Sequence, residues 1–444
     1  MDKLIIKDFR CFHALHNIPL APLTFLIGEN STGKSSFLAA ISKAWDMIFE
    51  DEPPDFNKEP FQLGSFDQIA NFRGGKAGRA KEFSLGFVIN IKNQEYSFVG
   101  SFEKAGASPR IASLRIDFAH YSISVEQKED KNKKNNNNSQ KIEKIKEFKV
   151  RLSTPSGIIE FEPLPLRSFS WFSIRDLLFF LDRGLRFPEV KEKNIREIIP
   201  EMLRFLHFKK LNKPIIMAPI RTHPQRTYDP KTEWPKPTGE HIPNVLSRIK
   251  ATNPELWKDL VSQLNTFGLG SGLYKRIDIH ELGKPLVDPF QVRVTISGPS
   301  SNLIDVGYGV SQVLPILTES ILSVKKQSVL LLQQPEVHLH PRAQAELGTL
   351  FGKLVKQKGL KFIVETHSDY ILDRVRLDIR DKIKDYVDYK DVLILYFQRK
   401  GSEIEISQIK IDENGNIVNP PRNFRKFFLD EEKRYFGIKD VHDN

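Results

Sequence analysis

The 444-residue sequence holds a single cysteine, Cys11. A disulfide within the chain is therefore excluded, which fits a reducing compartment and places the expected location in the cytoplasm. Hydrophobic runs of membrane-spanning length are missing as well. The stretch from Leu177 to Leu181 is stopped at once by Asp182 and Arg183, so no membrane span is expected. The opening residues, Met1 to Arg10, lack the apolar core and cleavage site of a signal peptide. No heptad pattern persists long enough for a coiled-coil arm. After His367 the chain is short and carries no acidic cluster of the kind a metal nuclease needs. With 40% hydrophobic and 28% charged residues, what remains is a globular chain long enough for two or three domains. The formal net charge of +11 permits nucleic-acid or acidic-partner binding, although a solvated basic surface is the simpler account.

What is present is organised around residues 23–37. A short apolar run, Leu23 to Ile27, reads as a buried strand. It turns through Gly28, Glu29, Asn30, Ser31, Thr32 and Gly33 into Lys34, Ser35 and Ser36, and apolar residues then recur at helical spacing (Phe37, Leu38, Ile41, Trp45). Gly28-x-x-x-x-Gly33-Lys34-Ser35 is the phosphate-binding loop pattern in its strand–loop–helix setting. Glycines let the backbone wrap closely, so that N–H groups and the helix N-terminus point at phosphate oxygens. Lys34 is then expected to reach the β- and γ-phosphates, and the Ser35 hydroxyl to sit on Mg²⁺. ATP and Mg²⁺ are the expected cofactors.

Taken in order, residues 1–125 read as a first half that continues from the phosphate loop into an antiparallel meander. Residues 126–147 are Lys- and Asn-rich and read as a polar insertion. Residues 148–285 form a middle region that begins with strands and turns helical from Phe169 to Phe208. Residues 286–400 alternate strand and helix, which argues for a parallel sheet. Within that part, Gly307-Tyr-Gly-Val-Ser-Gln312 precedes a helix expected over 316–324. Ser328 to Leu332 is a buried strand running into Gln333-Gln-Pro-Glu-Val-His-Leu-His-Pro341, and Lys361 to Glu365 is another, running into Thr366-His-Ser-Asp369. Residues 401–444 form a tail. In open parallel sheets ligands sit beyond the carboxyl ends of the strands. The phosphate loop, Gln333 to Glu336 and Thr366-His367 each follow a strand, so they should converge on one nucleotide.

In these segments and their order the chain resembles the ABC-type ATPases, and among them the bacterial overcoming-lysogenization-defect-like "AAA family ATPase" group. Relatives of that group are ATPase subunits of anti-phage systems of the Septu, retron-associated and PARIS kinds; the structural-maintenance-of-chromosomes ATPases are more distant cousins. Lys213 to Tyr228, with Pro219-Ile-Arg221 and Arg226-Thr-Tyr228, also looks like this group. The resemblance implies an α/β P-loop fold: an ABC-type head of mixed sheet and helices, an antiparallel β region and a middle α-helical region. Ser328 to Pro341 would be the Walker B strand and D-loop, which suits His338 and His340 better than a metal pair. Asp305 to Pro315 would be the signature motif and Glu365 to Ser368 the histidine switch. By that reading Ser311 and Gln312, at a helix start, touch the γ-phosphate of an ATP held by a second subunit, and His367 senses the γ-phosphate. A homodimer or larger homo-oligomer with ATP sites completed in trans follows. So does a role as an ATP-gated regulator in phage defence, beside a separate nuclease or toxin effector.

One departure bears on catalysis. ABC-type Walker B strands end in Asp-Glu, the first organising Mg²⁺ and its water, the second polarising the attacking water. Gln333 and Gln334 stand there instead. An amide is a weaker ligand for a hard cation and a poor proton acceptor. Gln333 keeps the metal-side position, Gln334 the water-side position, and Glu336 is the nearest carboxylate that could compensate. The rival reading is a non-catalytic nucleotide-binding clamp for a protein partner or DNA. A transporter's nucleotide-binding subunit fits poorly, given the large middle region and tail.

Overall fold

The computed structural model describes residues 1–50, 52–75, 78–91, 93–128, 146–155, 157–166, 174, 200, 212–323, 328–401 and 403–436. Strands β1 (Lys3–Lys7), β2 (His16–Pro19) and β3 (Leu23–Gly28) lead into helix α1 (Lys34–Phe49). A short helix, α2 (Phe66–Ile69), precedes β4 (Glu82–Ile91), β5 (Gln94–Ala105), β6 (Ser108–Phe118), β7 (Tyr121–Lys128), β8 (Lys146–Thr154) and β9 (Gly157–Leu166). Then come β10 (Ile215–Met217), α3 (Ile242–Thr252), α4 (Pro254–Ser271), β11 (Arg276–Glu281), β12 (Phe290–Thr295), β13 (Ser301–Asn302) and α5 (Tyr308–Leu322). The chain continues through β14 (Val329–Gln333), α6 (Pro341–Lys358), β15 (Lys361–Glu365), α7 (Asp369–Arg380), β16 (Val392–Lys400), β17 (Glu403–Ile411), β18 (Ile417–Val418) and α8 (Lys426–Tyr435).

The strands form three sheets. One has the order β10-β14-β15-β3-β16-β17-β18, parallel from β10 to β16 and antiparallel beyond. Its central strands are mostly apolar because both faces are covered. Along β14, Val329 and Leu331 enter one core while Leu330 and Leu332 enter the other; along β3, Leu26 faces the first and Leu23 and Phe25 the second. The first core holds α1 and the all-antiparallel sheet β2-β1-β4-β5-β6-β7-β8-β9. The second holds α3 to α7 and the small sheet β11-β12-β13. The phosphate-loop strand thus lies between two hydrophobic layers, and its polar end is the only part of it free to meet a ligand.

Three placements differ from the sequence reading. Strands β8 and β9 pair onto β7 and extend the first antiparallel sheet; the polar stretch between β7 and β8 masked this continuity. Helix α5 begins at Tyr308 and carries Pro315 inside it, whereas Pro315 had suggested that the helix begins after it. A proline there removes one backbone hydrogen bond, to the residue four positions earlier, and the helix tolerates it because its flanks are buried. The tail strand β17 belongs to the central sheet, paired to β16. Most of the 126–147 insertion and nearly all of the helical stretch expected over 169–208 lie outside the described residues. Among the described residues no helix is long and apolar enough to cross a membrane.

Candidate nucleotide-binding site

The loop after β3 has the backbone that a phosphate cradle requires. Gly28 lies at φ +147°, and a Cβ there would come within 2.2 Å of the Phe397 carbonyl on β16; Gly33 lies at φ +92°, against Cys11. Both positions are closed to other residues on steric grounds. Arg399 donates from Nη2 to the Ser31 carbonyl (2.8 Å), and Thr32 Oγ1 donates to the Glu29 carbonyl (2.7 Å), so the loop is pinned from β16 and from within. Helix α1 starts at Lys34, and its first N–H groups have no partners inside the helix. Lys34 is buried and donates to the carbonyls of Gly28 (2.8 Å) and Glu29 (2.6 Å). Burial holds its pKa below the usual lysine range, against the opposing pull of Glu365 and Glu29.

The parallel register brings the strand ends together. Gln333 on β14 pairs with Glu365 on β15, and Glu365 pairs with Leu26 on β3. Asn30, Ser31, Gly33, Lys34, Ser35, Ser36, Gln334, Glu365 and His367 therefore share one cleft of about 610 Å³ with Arg10, Asn71, Arg79 and Arg399. A larger cavity of about 770 Å³ lies on the other side of His367, walled by Gly28, Glu29, Tyr396, Phe424 and Arg425. It touches neither Lys34 nor Ser35, so the smaller cleft is the one suited to phosphate.

Among the described residues Glu365 is the only carboxylate on the wall of that cleft. Sequence reasoning placed it merely at the head of the histidine switch. Ser35 Oγ lies 2.9 Å from both of its oxygens, and the Gln333 amide hydrogen-bonds it too. Burial pushes its pKa up, opposed by Ser35, Lys34 and Gln333. Only its place at the polar end of an apolar strand marked it in the sequence, and that signal does not reveal a contact 330 residues away.

Glu336 stands behind the wall rather than on it. It is buried, its Oε1 accepts from the His367 backbone N–H (2.7 Å), and its Oε2 has no partner among the described residues. Its part is to position His367. Gln334 does line the cleft. Its backbone sits at φ +43°, a strained conformation for a residue with a side chain. Its N–H donates to the Glu365 carbonyl (2.8 Å), and its carbonyl, with that of Gln333, accepts from Arg221 Nη2 at 3.3 Å. Arg221, 1% exposed, is thus a buried clamp on the turn after β14 and is no part of the cleft wall; burial lowers its pKa to about 10 despite the nearby Glu336. His367 is exposed at the cleft, with its pKa held below the usual range by partial burial and by Lys34.

The signature residues are placed differently from the expectation. Ser311 and Gln312 lie one turn inside α5 and are buried: Ser311 Oγ donates to the Tyr308 carbonyl (2.8 Å), and the Gln312 amide reaches the Arg221 carbonyl (3.5 Å). What the helix start offers outward is the backbone of Gly307 and the side of Tyr308. The Tyr308 ring meets His338 edge-on at 4.8 Å, and His340 caps α6 by accepting from the Arg342 N–H. Both histidines have structural work, and among the described residues no group of three or more His, Cys, Asp or Glu is placed to share a metal. Arg226 pairs with Asp305, Arg73 with Asp8, and Arg79 lines the cleft.

The AAA ATPase domain model matches residues 1–372. The chain belongs to the AAA ATPase domain family. Residues 387–433, which contain β16 and β17, match a second family described as a protein of unknown function (DUF3696). In fold the ATPase is similar to an SmcHead solved bound to the C-winged helix domain of ScpA, at 11% identity and a TM-score of 0.50, covering 92% of this chain and 98% of that one. An SMC head domain from Thermotoga maritima aligns at 13% identity and a TM-score of 0.39, over 92% of this chain and 99% of that one. The fold is that of an ABC-type P-loop NTPase.

The residues present fit Mg²⁺-ATP. Glycine backbone closed to a Cβ, a buried ammonium and free helix N–H groups suit the triphosphate, and Ser35 Oγ supplies a hard oxygen donor for Mg²⁺. Bound Mg²⁺ would neutralise phosphate charge. Lys34 would exchange its carbonyl bonds for phosphate oxygens, and Arg10, Arg79 and Arg399 add positive charge around the cleft.

Burial of Glu336 has a measurable consequence. Desolvation raises its pKa above the ordinary value of 4.5. A raised folded-state pKa means that the folded protein holds the proton more tightly than the unfolded chain. The associated stability is complete below the ordinary value and is lost as pH rises through the raised one. Glu336→Gln keeps an acceptor for the His367 N–H but cannot ionise. The variant should therefore melt close to wild type near pH 4.5 and a few degrees above it at pH 8, in nucleotide-free buffer. A gap that stays constant across this range would contradict an ionisable buried carboxylate.

Proposed function

We propose that this ATPase is an ATP-gated regulator whose subunits associate head to tail around bound nucleotide. One observation carries the reading: Lys34, Ser35, Glu365, Gln334 and His367 meet in one cleft, whereas residues 307–312 are no part of its wall among the described residues. A nucleotide held by Lys34 would therefore leave the α5 start for another subunit's γ-phosphate. A helix start suits such a contact, and Tyr308 packs on His338, next to the segment read as the D-loop. Slow ATP hydrolysis resets the assembly. Defence against phage, with a nuclease or toxin as separate effector, is supported by the family resemblance alone.

The test uses Gly307, whose Cβ position is open space and whose φ of −55° any residue adopts. Gly307→Glu should leave the melting temperature and ATP binding nearly unchanged, and should prevent ATP-dependent association by setting a carboxylate where the partner's phosphate arrives. Light scattering with and without ATP reads the result; association equal to wild type would remove the trans contact from the reading. Copurification with the proteins of its native operon, imaged with ATP, would identify the effector. The second reading, a nucleotide-dependent clamp without turnover, is favoured by Gln333 and Gln334, and phosphate release decides between them.

A further inference from the structure

We propose that Glu365, at the end of β15, is the carboxylate that holds the nucleotide's magnesium ion, one strand over from the Walker B position occupied by Gln333. The proposal rests on the ATP-binding reading and assigns its metal ligand.

The sheet register makes the exchange geometrically simple. Gln333 and Glu365 are direct partners on adjacent parallel strands, so a group moved from one to the other shifts sideways by about 4.8 Å and keeps its height along the sheet. Long side chains that share a ladder rung can reach one point from either strand. At that point stands Ser35, the P-loop hydroxyl expected to bind Mg²⁺. Its Oγ is 2.9 Å from both carboxylate oxygens of Glu365. Magnesium–oxygen bonds of ~2.0–2.1 Å at right angles set neighbouring ligand oxygens roughly 2.9 Å apart, so the observed separation is already that of two ligands on one octahedral edge.

The electrostatics run the same way. Glu365 is 5% exposed and is the one carboxylate on the cleft wall among the described residues. A carboxylate buried to this degree is costly unless a cation or several donors compensate it. Its hydrogen-bonding neighbours, Ser35 and the Gln333 amide, are neutral; Lys34 attracts it through space, but that ammonium gives hydrogen bonds to the loop carbonyls of Gly28 and Glu29. Ser35 and Glu365 would hold a divalent cation between them, and its charge would offset the cost of burying the carboxylate. The Gln333 amide then has a purpose that a carboxylate could not serve: it steadies Glu365 through a hydrogen bond where a second negative charge would repel it.

Binding of mant-ATP, followed by fluorescence in EDTA and again in excess Mg²⁺, tests the assignment, with Mn²⁺ and a non-hydrolysable ATP analogue as an electron paramagnetic resonance probe. Wild type should gain affinity on the order of tenfold or more when Mg²⁺ is added, through ligation by hard oxygens. Glu365→Gln should bind mant-ATP in EDTA no more weakly than wild type, since it takes a negative charge out of the phosphate cleft, and its gain with Mg²⁺ should shrink to about twofold or less. Its Mn²⁺ spectrum in the presence of the analogue should move toward that of the free Mn²⁺–nucleotide complex. The exchanged pair Gln333→Glu/Glu365→Gln should recover most of the lost gain, since the carboxylate returns to the same rung. A full Mg²⁺ gain in Glu365→Gln would overturn the proposal. So would an equal loss of affinity in EDTA and in Mg²⁺, because Glu365 would then be shaping the loop and not holding the ion. No mant-ATP binding by wild type in either buffer would instead remove the ATP-binding reading itself.

Discussion

Lys34→Ala should abolish ATP binding. Among the described residues the ammonium is the one lysine charge on the wall of the phosphate cleft, and its substitution leaves the β- and γ-phosphates without the cation at the loop itself. Arg10, Arg79 and Arg399 share the cleft, but Arg399 is committed to the Ser31 carbonyl and Arg79 to that of Ala70. Saturating ATP at a hundred to a thousand times its Kd stabilises a protein by about 2.7–4.1 kcal/mol through mass action. Wild type should show a thermal shift of that order, and Lys34→Ala almost none. Without nucleotide the variant should melt near wild type. It loses two hydrogen bonds to the Gly28 and Glu29 carbonyls, and it also sheds the desolvation cost of a buried ammonium. Equal ATP-induced shifts in the two proteins would take the phosphate-loop assignment away.

The parts of the fold that could be read from sequence share a physical cause. Strands β3, β14 and β15 are covered on both faces, so they appear as mostly apolar runs, and each leads into polar residues where the sheet meets the cleft. Spacing alone located the loop from Gly28 to Ser35 because the φ +147° and +92° glycines are steric requirements, and steric requirements leave residue-type signatures. The rest depends on register and burial, which local sequence does not encode. Glu365 reaches Ser35 because of a parallel pairing that joins distant segments. Ser311 and Gln312 look available from their polarity, yet α5 begins three residues before Ser311 and turns both inward. Arg221 reads as the basic end of a short buried strand, in reach of phosphate or nucleic acid, and is instead a buried clamp on the Gln333 and Gln334 carbonyls. Glu336 reads as the nearest spare carboxylate; its distance in sequence was short, but its side chain turns toward the His367 backbone.

That reassignment changes what is expected of hydrolysis. With Glu336 behind the wall and Glu365 beside Ser35, no further carboxylate lines the cleft among the described residues. On the proposed reading, Gln334 stands where an ABC-type head polarises the attacking water. A glutamine cannot take the proton, but it can orient water, as the catalytic glutamines of small GTPases do, and phosphoryl transfer draws most of its acceleration from positioning and charge stabilisation. Turnover should therefore be slow and real. A missing general base costs about 10²- to 10⁴-fold, so Gln334→Glu should raise the steady-state rate of phosphate release, by up to about 10²-fold given the repulsion from nearby Glu365. Gln334→Ala removes the water's remaining partner and should drop release toward the Lys34→Ala blank. Its backbone must still adopt φ +43°, so its melting temperature needs to be checked beside its rate. Glu336→Gln, which preserves the acceptor for the His367 N–H, should change the rate by less than either. A brisk wild-type rate that survives Gln334→Ala would place the water-activating group elsewhere in the cleft. Release no higher than the Lys34→Ala blank in both wild type and Gln334→Glu would leave a clamp that binds ATP and does not turn it over.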